Sequence, residues 1–312
     1  MLTIQQDQTI VLDTVTDGSK TVYAVVFHPN GKDILGGGMD GIRRWRLSDS
    51  QEVGRQTGIQ VLAISVSRDC KWIVCGTRSG ASVWDGELRE KLIDVEGENR
   101  VFAVDISPDS TRFATGTGAG HYKVGIWSIK TGKRLVGPLQ HGNRVTGVRF
   151  SPTAEHIATA YYGGPVRVFD SRNGDVLITL DTKTPAITAT TPLVWSGDGR
   201  RIFATSKDNT IKSFDASTGS KLTELEIPSH SLALAPNCKF IATFAGHSIL
   251  FLEASTLAQI GPVIADSGDI WSIAISQDNS YLVTGHRDDG KIIIRNLSTI
   301  LPDLCGPFDV SI

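Results

Sequence analysis

Apolar and polar residues alternate along the chain in short runs that are separated by tight turns. One clear example begins with Val101–Asp109, an alternating run that leads into a turn containing proline. Phe113–Thr117, Lys123–Ser128 and Lys133–Val136 follow as three further runs. Four short strands joined by tight turns predict one small antiparallel sheet. Such a sheet has two apolar faces, so it requires copies of itself on either side to be stable.

The same layout occurs seven times, and the first strand of each copy can be aligned. The aligned segments are Val22–Pro29, Val61–Arg68, Val101–Pro108, Val145–Pro152, Thr190–Gly197, Ser229–Pro236 and Ile270–Gln277. The fourth position is aliphatic in every copy and the sixth is apolar. Positions two apart share a face of a strand, so these two columns predict the buried face of an inner strand. Successive sixth positions lie 39 to 45 residues apart, close to the length of one propeller blade.

The remaining positions of each copy predict the rest of the sheet. The third position is always small, as expected where a neighbouring sheet packs closely: Ala24, Ala63, Ala103, Gly147, Pro192, Ser231 and Ser272. The third strands end on a large apolar residue in six copies, whereas the seventh has Arg295: Trp45, Trp84, Trp127, Phe169, Phe214 and Leu252. The fourth strands have weaker patterns, which is typical of outer edge strands. Among them, Leu88–Asp94 is the predicted fourth strand of the second copy.

Several dipeptides and turns connect these copies with a known family. Trp84–Asp85 ends a third strand, and Phe169–Asp170 and Phe214–Asp215 occupy the equivalent places in two other copies. Ser107–Asp109 is a Ser-Pro-Asp turn after a first strand, and His141–Gly142 precedes another first strand. On these residues the chain resembles the WD-repeat (WD40) family. The resemblance implies an all-β fold, a seven-bladed β-propeller of four-stranded antiparallel blades, that acts as a non-catalytic scaffold for protein–protein interaction.

Residues 1–312 are predicted to form one propeller domain, with blades beginning near residues 21, 60, 100, 144, 189, 228 and 269. Ring closure has two candidates. Residues 9–15 precede the first inner strand, where every other copy has an outer strand, and we expect them to complete blade 7. Leu304–Phe308 resembles the outer-strand segments Leu135–Leu139 and Gln259–Val263, so it competes for the same edge. The N-terminal strand is favoured because it closes the ring and removes exposed sheet edges.

Composition and charge narrow the class of protein. The chain has 312 residues, is 40% hydrophobic and 21% charged, and carries a formal net charge of −2. It has no apolar run of about 18 residues, and its start lacks the basic and apolar regions of a secretion signal, so we expect a cytoplasmic protein without a membrane segment. The basic pairs Arg43–Arg44 and Arg200–Arg201 do not form a phosphate-binding stripe, so no nucleic-acid partner is expected.

Residues that could support catalysis, a cofactor or a metal are not arranged in known motifs. The cysteines lack CxxC or Cys/His spacing and are expected to be reduced thiols: Cys70, Cys75, Cys238 and Cys305. The glycine-rich stretch Gly116–Gly120 joins two strands and does not open a helix, so it lacks the geometry that binds phosphate. The sequence has no nucleophile elbow, HExxH, Walker lysine or recurring carboxylate pair. We therefore expect no catalytic residue, no cofactor and no metal site.

The second position of the inner strand varies in residue type while its neighbours do not. It is occupied by Tyr23, Leu62, Phe102, Thr146, Thr191, His230 and Trp271. In a propeller this position lies near the mouth of the central channel, on the face built by the loops that enter the first strands and the hairpins that join the second and third strands. The same face is expected to carry charged and aromatic loop residues: Lys20, Met39, Arg78, Arg100, Arg144, Tyr161, Tyr162, Lys207, Asp269 and Arg287.

From this face we predict a mixed aromatic and basic surface that binds an acidic or amphipathic peptide or protein. Its residues are Tyr23, Phe102, His230, Trp271, Arg100, Arg144, Tyr161, Tyr162, Arg78, Lys207 and Arg287. Aromatic anchors supply much of the energy of partner surfaces, and arginine forks pair with carboxylates. In the alternative interpretation the rings only plug the channel and the charges are solvated loop tips.

Two functions of other classes are alternatives to the scaffold. A propeller that binds a small ligand or a carbohydrate predicts a pocket of about 300 Å³ or more lined by Trp271, Tyr23 and Phe102. A propeller hydrolase predicts a converging carboxylate or histidine pair on the channel. In the scaffold interpretation the chain is expected to be a monomer or a domain of a larger multidomain protein.

Overall fold

The computed structural model describes residues 9–13, 21–95, 98–118, 120–184, 191–266 and 268–305. Within these ranges the chain forms seven four-stranded antiparallel sheets. The innermost strand of each sheet contacts the innermost strand of the next, and the seventh contacts the first, so the sheets form a closed ring. The predicted all-β, seven-bladed β-propeller is confirmed. No helix in the described part of the chain is long and apolar enough to cross a bilayer.

The two inner positions of each blade are formed by strands of similar length. The innermost strands are β2 Val22–Phe27, β6 Val61–Val66, β10 Val101–Ile106, β14 Val145–Phe150, β18 Leu193–Trp195, β22 Leu232–Leu234 and β26 Ile270–Ile275. The second strands are β3 Asp33–Gly38, β7 Trp72–Thr77, β11 Arg112–Thr117, β15 His156–Tyr161, β19 Arg201–Ser206, β23 Phe240–Ala245 and β27 Tyr281–His286.

The two outer positions complete each blade. The third strands are β4 Gly41–Arg46, β8 Ala81–Asp85, β12 Lys123–Ser128, β16 Arg167–Asp170, β20 Thr210–Asp215, β24 Ser248–Glu253 and β28 Lys291–Asn296. The outer strands are β1 Thr9–Asp13, β5 Glu52–Thr57, β9 Lys91–Val95, β13 Arg134–Gln140, β17 Val176–Thr179, β21 Lys221–Glu226 and β25 Gln259–Ala265. Two short helices, α1 Leu297–Ile300 and α2 Pro302–Cys305, follow β28.

The core lies between neighbouring blades, where the fourth-position column predicted it, whereas the sixth-position side chains are buried only in blades 3, 4 and 5. The fourth-position residues are all buried, from Leu193 at 0% exposed to Ile64 at 6%. The small third position lets the next blade approach, and Ala24 packs in one cluster with Val61 and Ile64 of blade 2. Burying each such aliphatic side chain stabilises the fold by about 1.5–3 kcal/mol. The ring is therefore held together by contacts that each blade makes with its neighbour.

The N-terminal strand lies at the outer edge of the seventh sheet. β1 pairs antiparallel with β28, with Val11 opposite Ile293. Leu12 is 6% exposed and packs in the cluster that contains Val283. Leu304, the first residue of the competing C-terminal segment, lies in α2 and not in an outer strand. Residues 14–15 of the N-terminal segment 9–15 and residues 306–308 of the competing C-terminal segment lie outside the described residues.

The structure corrects three strand boundaries. The fourth strand of blade 2 was predicted from Leu88, but β9 begins at Lys91 because Leu88 has a left-handed φ of 59° and ends a turn. The inner strands of blades 5 and 6 have only three residues each in the ladder. In blade 5, Pro192 has no N–H to donate to the ladder. In blade 6, the N–H of Leu232 donates at 2.8 Å to the carbonyl of Thr191 in the neighbouring blade.

Candidate functional site

A β-bulge sets the direction of the second-position side chains. In blades 1, 2, 3, 4 and 7 the pairing between the first and second strands shifts between the first and third positions of the inner strand. The residue between them, such as Phe102 between Val101 and Ala103, is therefore left out of the ladder. Bulges commonly redirect one side chain next to functional sites. Here they free the second position to lie at the end of the channel.

Backbone hydrogen bonds tie the entry loops to the hairpins between the second and third strands. The N–H of Gly118 donates to the carbonyl of Arg100 at 3.1 Å, and that of Tyr162 donates to Arg144 at 2.9 Å. The N–H of Arg287 makes the same bond to Asp269 at 2.9 Å. These loops and the second-position side chains therefore share one end of the propeller, which we call the upper mouth. Lys20, predicted on the same face, lies outside the described residues.

Tyr23 and Trp271 come into contact where blade 7 meets blade 1. Their ring centroids are 6.3 Å apart in an edge-to-face arrangement. The guanidinium of Arg287 lies over the Trp271 ring, 4.9 Å from its centroid, at a distance typical of a cation–π interaction. The Tyr23 hydroxyl donates to Sδ of Met39 at 3.1 Å, and Gln60 also contacts Met39. These side chains form an aromatic and cationic cluster on the rim.

Two polar atoms beside this cluster are buried and have no hydrogen-bond partner among the described residues. They are Nε1 of Trp271, which is a donor, and Nδ1 of His230 in the adjacent blade. Burial lowers the pKa of His230, and the carboxylate of Asp269 opposes that shift, so the ring is neutral at pH 7. Leaving a buried donor unpaired costs about 1–3 kcal/mol.

A second aromatic and cationic pair lies across the mouth, in blades 3 and 4. The guanidinium of Arg144 is 5.2 Å from the centroid of the Phe102 ring. Burial lowers the pKa of Arg144. Gly118 allows this arrangement, because a Cβ at residue 118 would lie only 2.3 Å from the Phe102 ring. Arg100 and Arg78 are exposed on the same side, and the N–H of Arg100 donates to the Arg78 carbonyl at 3.0 Å.

The other predicted site residues are placed differently. Tyr161 packs within blade 4, 5.2 Å from the His141 ring and 5.5 Å from the Arg167 guanidinium. Tyr162 is 40% exposed beside it. Lys207 is exposed on blade 5, and its N–H donates to the carbonyl of Lys183. The structure therefore brings together two clusters, around Trp271 and around Phe102, and places Tyr161 and Lys207 outside both.

The channel below the upper mouth contains a cavity of about 230 Å³. Phe102 lines it, whereas Trp271 and Tyr23 do not. The cavity is smaller than the ~300–1,000 Å³ of small-molecule pockets, so its geometry does not favour the ligand-binding alternative. No group of three His, Cys, Asp or Glu side chains with the geometry of a metal site occurs within the described ranges.

Among the described residues that line the channel, Asp105 supplies the carboxylate, and its contacts do not form a catalytic pair. Asp105 accepts a hydrogen bond from the amide of Phe150 at 2.8 Å and lies 3.4 Å from Nη1 of Arg149. Nη2 of Arg149 donates to Oγ1 of Thr191 at 2.9 Å. Burial raises the pKa of Asp105, and Arg149 opposes that shift. These contacts link blades 3, 4 and 5, so the Asp105–Arg149 pair has a structural role that does not depend on catalysis.

Sequence reasoning did not find several of these features. The bulged position has no characteristic residue type, because it is occupied by residues as different as Leu62 and Trp271. Gln60 and its contact with Met39 depend on two loops of different blades. Closure of the ring makes blades 7 and 1 neighbours and so brings Trp271 near Tyr23, whereas the position of Arg287 over Trp271 depends on side-chain conformation and had no sequence signal.

Comparisons with known proteins agree with the repeat architecture. The family model described as "WD domain, G-beta repeat" matches residues 174–215 and 259–296. The chain is similar to eukaryotic translation initiation factor 3 subunit I of Scheffersomyces stipitis, with 29% identity over 47% of this chain and 45% of that protein. It is also similar to a WD repeat-containing protein 91 homolog of Dictyostelium discoideum, with 22% identity over 88% of this chain and 38% of that protein. The chain thus spans less than half the length of either relative.

Among solved structures, the fold is similar to the β-propeller domain of Cps50 (Swd1) from Myceliophteria thermophila. The TM-score is 0.74 at 15% sequence identity, and the match covers 92% of this chain and 99% of that domain. At this level of identity the likeness concerns the fold alone.

Proposed function

We propose that this chain, which belongs to the WD-repeat (WD40) β-propeller family, is a non-catalytic scaffold that binds a protein or peptide partner at the upper mouth. One relative is named as a subunit of a translation initiation factor, and we extend to this chain a role within a multiprotein assembly. The relatives are longer than the matched region, so their wider activities are not transferred. We further propose that residues 1–312 form one domain, that it is cytoplasmic, and that it is a monomer or part of a larger multidomain protein.

The observation that carries this proposal is the rim cluster of Trp271, Tyr23 and Arg287 beside the unpaired Nε1 of Trp271. Tryptophan, tyrosine and arginine dominate the energy of protein interfaces. The bulge holds these side chains on a rigid sheet edge, so little conformational entropy is lost when a partner binds. An interface also needs polar groups that find partners, and Trp271 Nε1 and His230 Nδ1 supply them.

The charges of the upper mouth favour an acidic or amphipathic partner. Arg287 and Arg144 lie over aromatic rings, and Arg78 and Arg100 are exposed nearby. Arginine side chains pair with carboxylates in a bidentate geometry, and a ring beneath the guanidinium holds it in place. A peptide carboxylate beside the Arg287 guanidinium would pair with it while the guanidinium stays over the Trp271 ring.

The test compares three tagged forms of the chain in pull-downs from the source cell. The double variant Tyr23→Ala/Trp271→Ala removes the rim cluster, and Leu177→Ala removes an apolar side chain that is 47% exposed on the outer strand β17. We expect the double variant to lose the partners that wild type and Leu177→Ala retain, while its melting temperature stays near wild type. Retention of the same partners by the folded double variant would refute the proposal.

A third variant examines the indole N–H while an aromatic side chain is kept. Trp271→Phe retains a six-membered ring and removes the N–H together with the five-membered ring that carries it. We expect it to weaken partner binding by about tenfold, because a buried acceptor of the partner would then be left unpaired. Binding equal to wild type would show that Trp271 acts through its apolar surface alone.

A further inference from the structure

The widest cavity described on the channel axis lies at its other end. It has a volume of about 660 Å³ and opens among the turns that follow the inner strands, including Pro29, Pro152 and Pro236. We call this cavity, with its rim of turns, the lower basin. It is almost three times as large as the cavity below the upper mouth. It shares no residue with the rim cluster of Trp271 and Tyr23.

The wall of the lower basin is apolar on one side. The sixth-position side chains of blades 6, 7, 1 and 2 line it and are only half-buried: Leu234, Ile275, Phe27 and Val66. Their counterparts in blades 3, 4 and 5 are almost fully covered, with at most 8% exposed for Trp195. The same column of the repeat is thus a sealed core in three blades and an open apolar arc in the other four. Partly exposed apolar side chains grouped in a concave site are typical of binding surfaces.

The wall of the lower basin also carries charged side chains, from blades 2, 3 and 4, with an excess of positive charge. Arg68, Asp105 and Arg149 line the basin, and two arginines against one aspartate leave a net charge of +1. His28 adds no charge at pH 7, because burial lowers its pKa. Both carboxylate oxygens of Asp105 are already engaged, by the Phe150 amide and by Arg149. Arg68 is exposed on the rim, and its positive charge acts on the carboxylate of Asp105.

We propose that the lower basin is a second docking site of the scaffold, and that its occupant is an acidic amphipathic peptide segment of a partner protein. An apolar side chain of the peptide fills the arc of blades 6, 7, 1 and 2, and a neighbouring Asp or Glu pairs with Arg68. A peptide fits this site because one chain can present an apolar and an acidic side chain together to a cavity lined by both the apolar arc and the arginines. The site is separate from the upper mouth, so one chain can hold two partners at once.

The experiment selects peptides from a phage-displayed random library on the intact protein and sorts them by variant. Arg68→Glu reverses the exposed charge of the lower basin, and Leu234→Gln makes its apolar arc polar. Arg89→Glu is the matched control, because it reverses a charge in the same blade on a side chain that is 80% exposed and does not line the basin. Tyr23→Ala/Trp271→Ala marks peptides that bind at the upper mouth instead.

We expect one class of selected peptides to combine Asp or Glu with large apolar residues. Its affinity should fall by about tenfold in Arg68→Glu and in Leu234→Gln, and should change by less than about twofold in Arg89→Glu and in the upper-mouth variant. Absence of such a class, or a class without acidic residues, would overturn the inference. If affinity falls only in Tyr23→Ala/Trp271→Ala, the result would overturn the inference and support the proposed function. If affinity falls only in Arg68→Glu and Leu234→Gln, the result would support the inference and count against binding at the upper mouth.

Discussion

A buried ion pair takes the place of an aromatic ring in blade 7, and its removal gives a quantitative test of the packing. Nη2 of Arg295 lies 2.5 Å from Oδ2 of Asp266, and the two side chains are 11% and 1% exposed. Nη1 of Arg295 also donates to Oγ1 of Thr284 at 3.1 Å. Blade 3 makes the equivalent bond with a ring, since Nε1 of Trp127 donates to Oγ1 of Thr115 at 2.9 Å. We expect Asp266→Asn to destabilise the fold strongly.

The expected magnitude follows from what the substitution leaves behind. Removing one partner of a buried pair leaves an uncompensated charge and costs about 3–5 kcal/mol. With an unfolding entropy of about 2.1 cal/mol/K per residue, that loss lowers the melting temperature of a cooperative domain of this size by about 5–8 °C. An exposed pair provides the control. Arg172 and Glu155 are 3.1 Å apart with side chains 69% and 52% exposed, so Glu155→Gln is expected to cost less than about 1 kcal/mol.

The assay is a double-mutant cycle in urea, with unfolding followed by far-UV circular dichroism. Asp266→Asn, Arg295→Gln and the double variant are compared with wild type, and the same cycle is made for Glu155 and Arg172. We expect a coupling energy of about 3 kcal/mol for the buried pair, because the double variant leaves no buried charge. Additive effects in blade 7, or a loss no larger than that of Glu155→Gln, would refute the idea that the ion pair replaces the ring.

Two further predictions concern stability. The pKa of the buried His141 is lowered to about 4. Between pH 6.5 and 4 the unfolded chain therefore binds a proton at this residue that the folded chain does not bind. The free energy of unfolding should fall by about 2 kcal/mol from pH 7.5 to pH 5. Urea midpoints of wild type and His141→Gln measure this, and an equal pH slope in both would contradict it. Trp127→Ala should cost about 3–5 kcal/mol by opening a core cavity at a side chain that is 7% exposed, whereas Leu135→Ala, 53% exposed, should change thermal stability by less than about 0.5 kcal/mol. A loss of thermal stability as small as that of Leu135→Ala would show that packing of Trp127 does not contribute strongly to the core.

The repeat could be read from the sequence because packing imposes the same requirement on every blade. The fourth position must fill the space between two sheets, so Val104 and Leu193 are both aliphatic and both almost inaccessible. The third position must let the next blade approach, so it is small. These requirements are periodic and local, which is why the fold and the number of blades were predictable.

The details of the site depend on features that have no periodic signal. A bulge at Phe102 depends on the register of β10 against β11, and register follows from how a whole strand pairs. The partner of Arg295 is Asp266, 29 residues earlier on a loop before the inner strand, and the sequence showed only that a ring was missing. Closure of the ring had two candidates with similar patterns, and pairing of β1 with β28 distinguishes them through a long-range contact.

The same geometry explains why two docking surfaces can exist without weakening the ring. The third and fourth positions of each inner strand pack between blades, so substitutions there change stability. The second position is released by the bulge, and the fifth, as at Asp105 and Arg149, faces the channel. Residues at these positions lie along the channel and outside the apolar core between the sheets, even where they hydrogen-bond a neighbouring blade as Asp105 and Arg149 do, so their chemistry can differ from blade to blade. Binding at either end of the channel is therefore expected to respond to substitutions that leave the melting temperature unchanged.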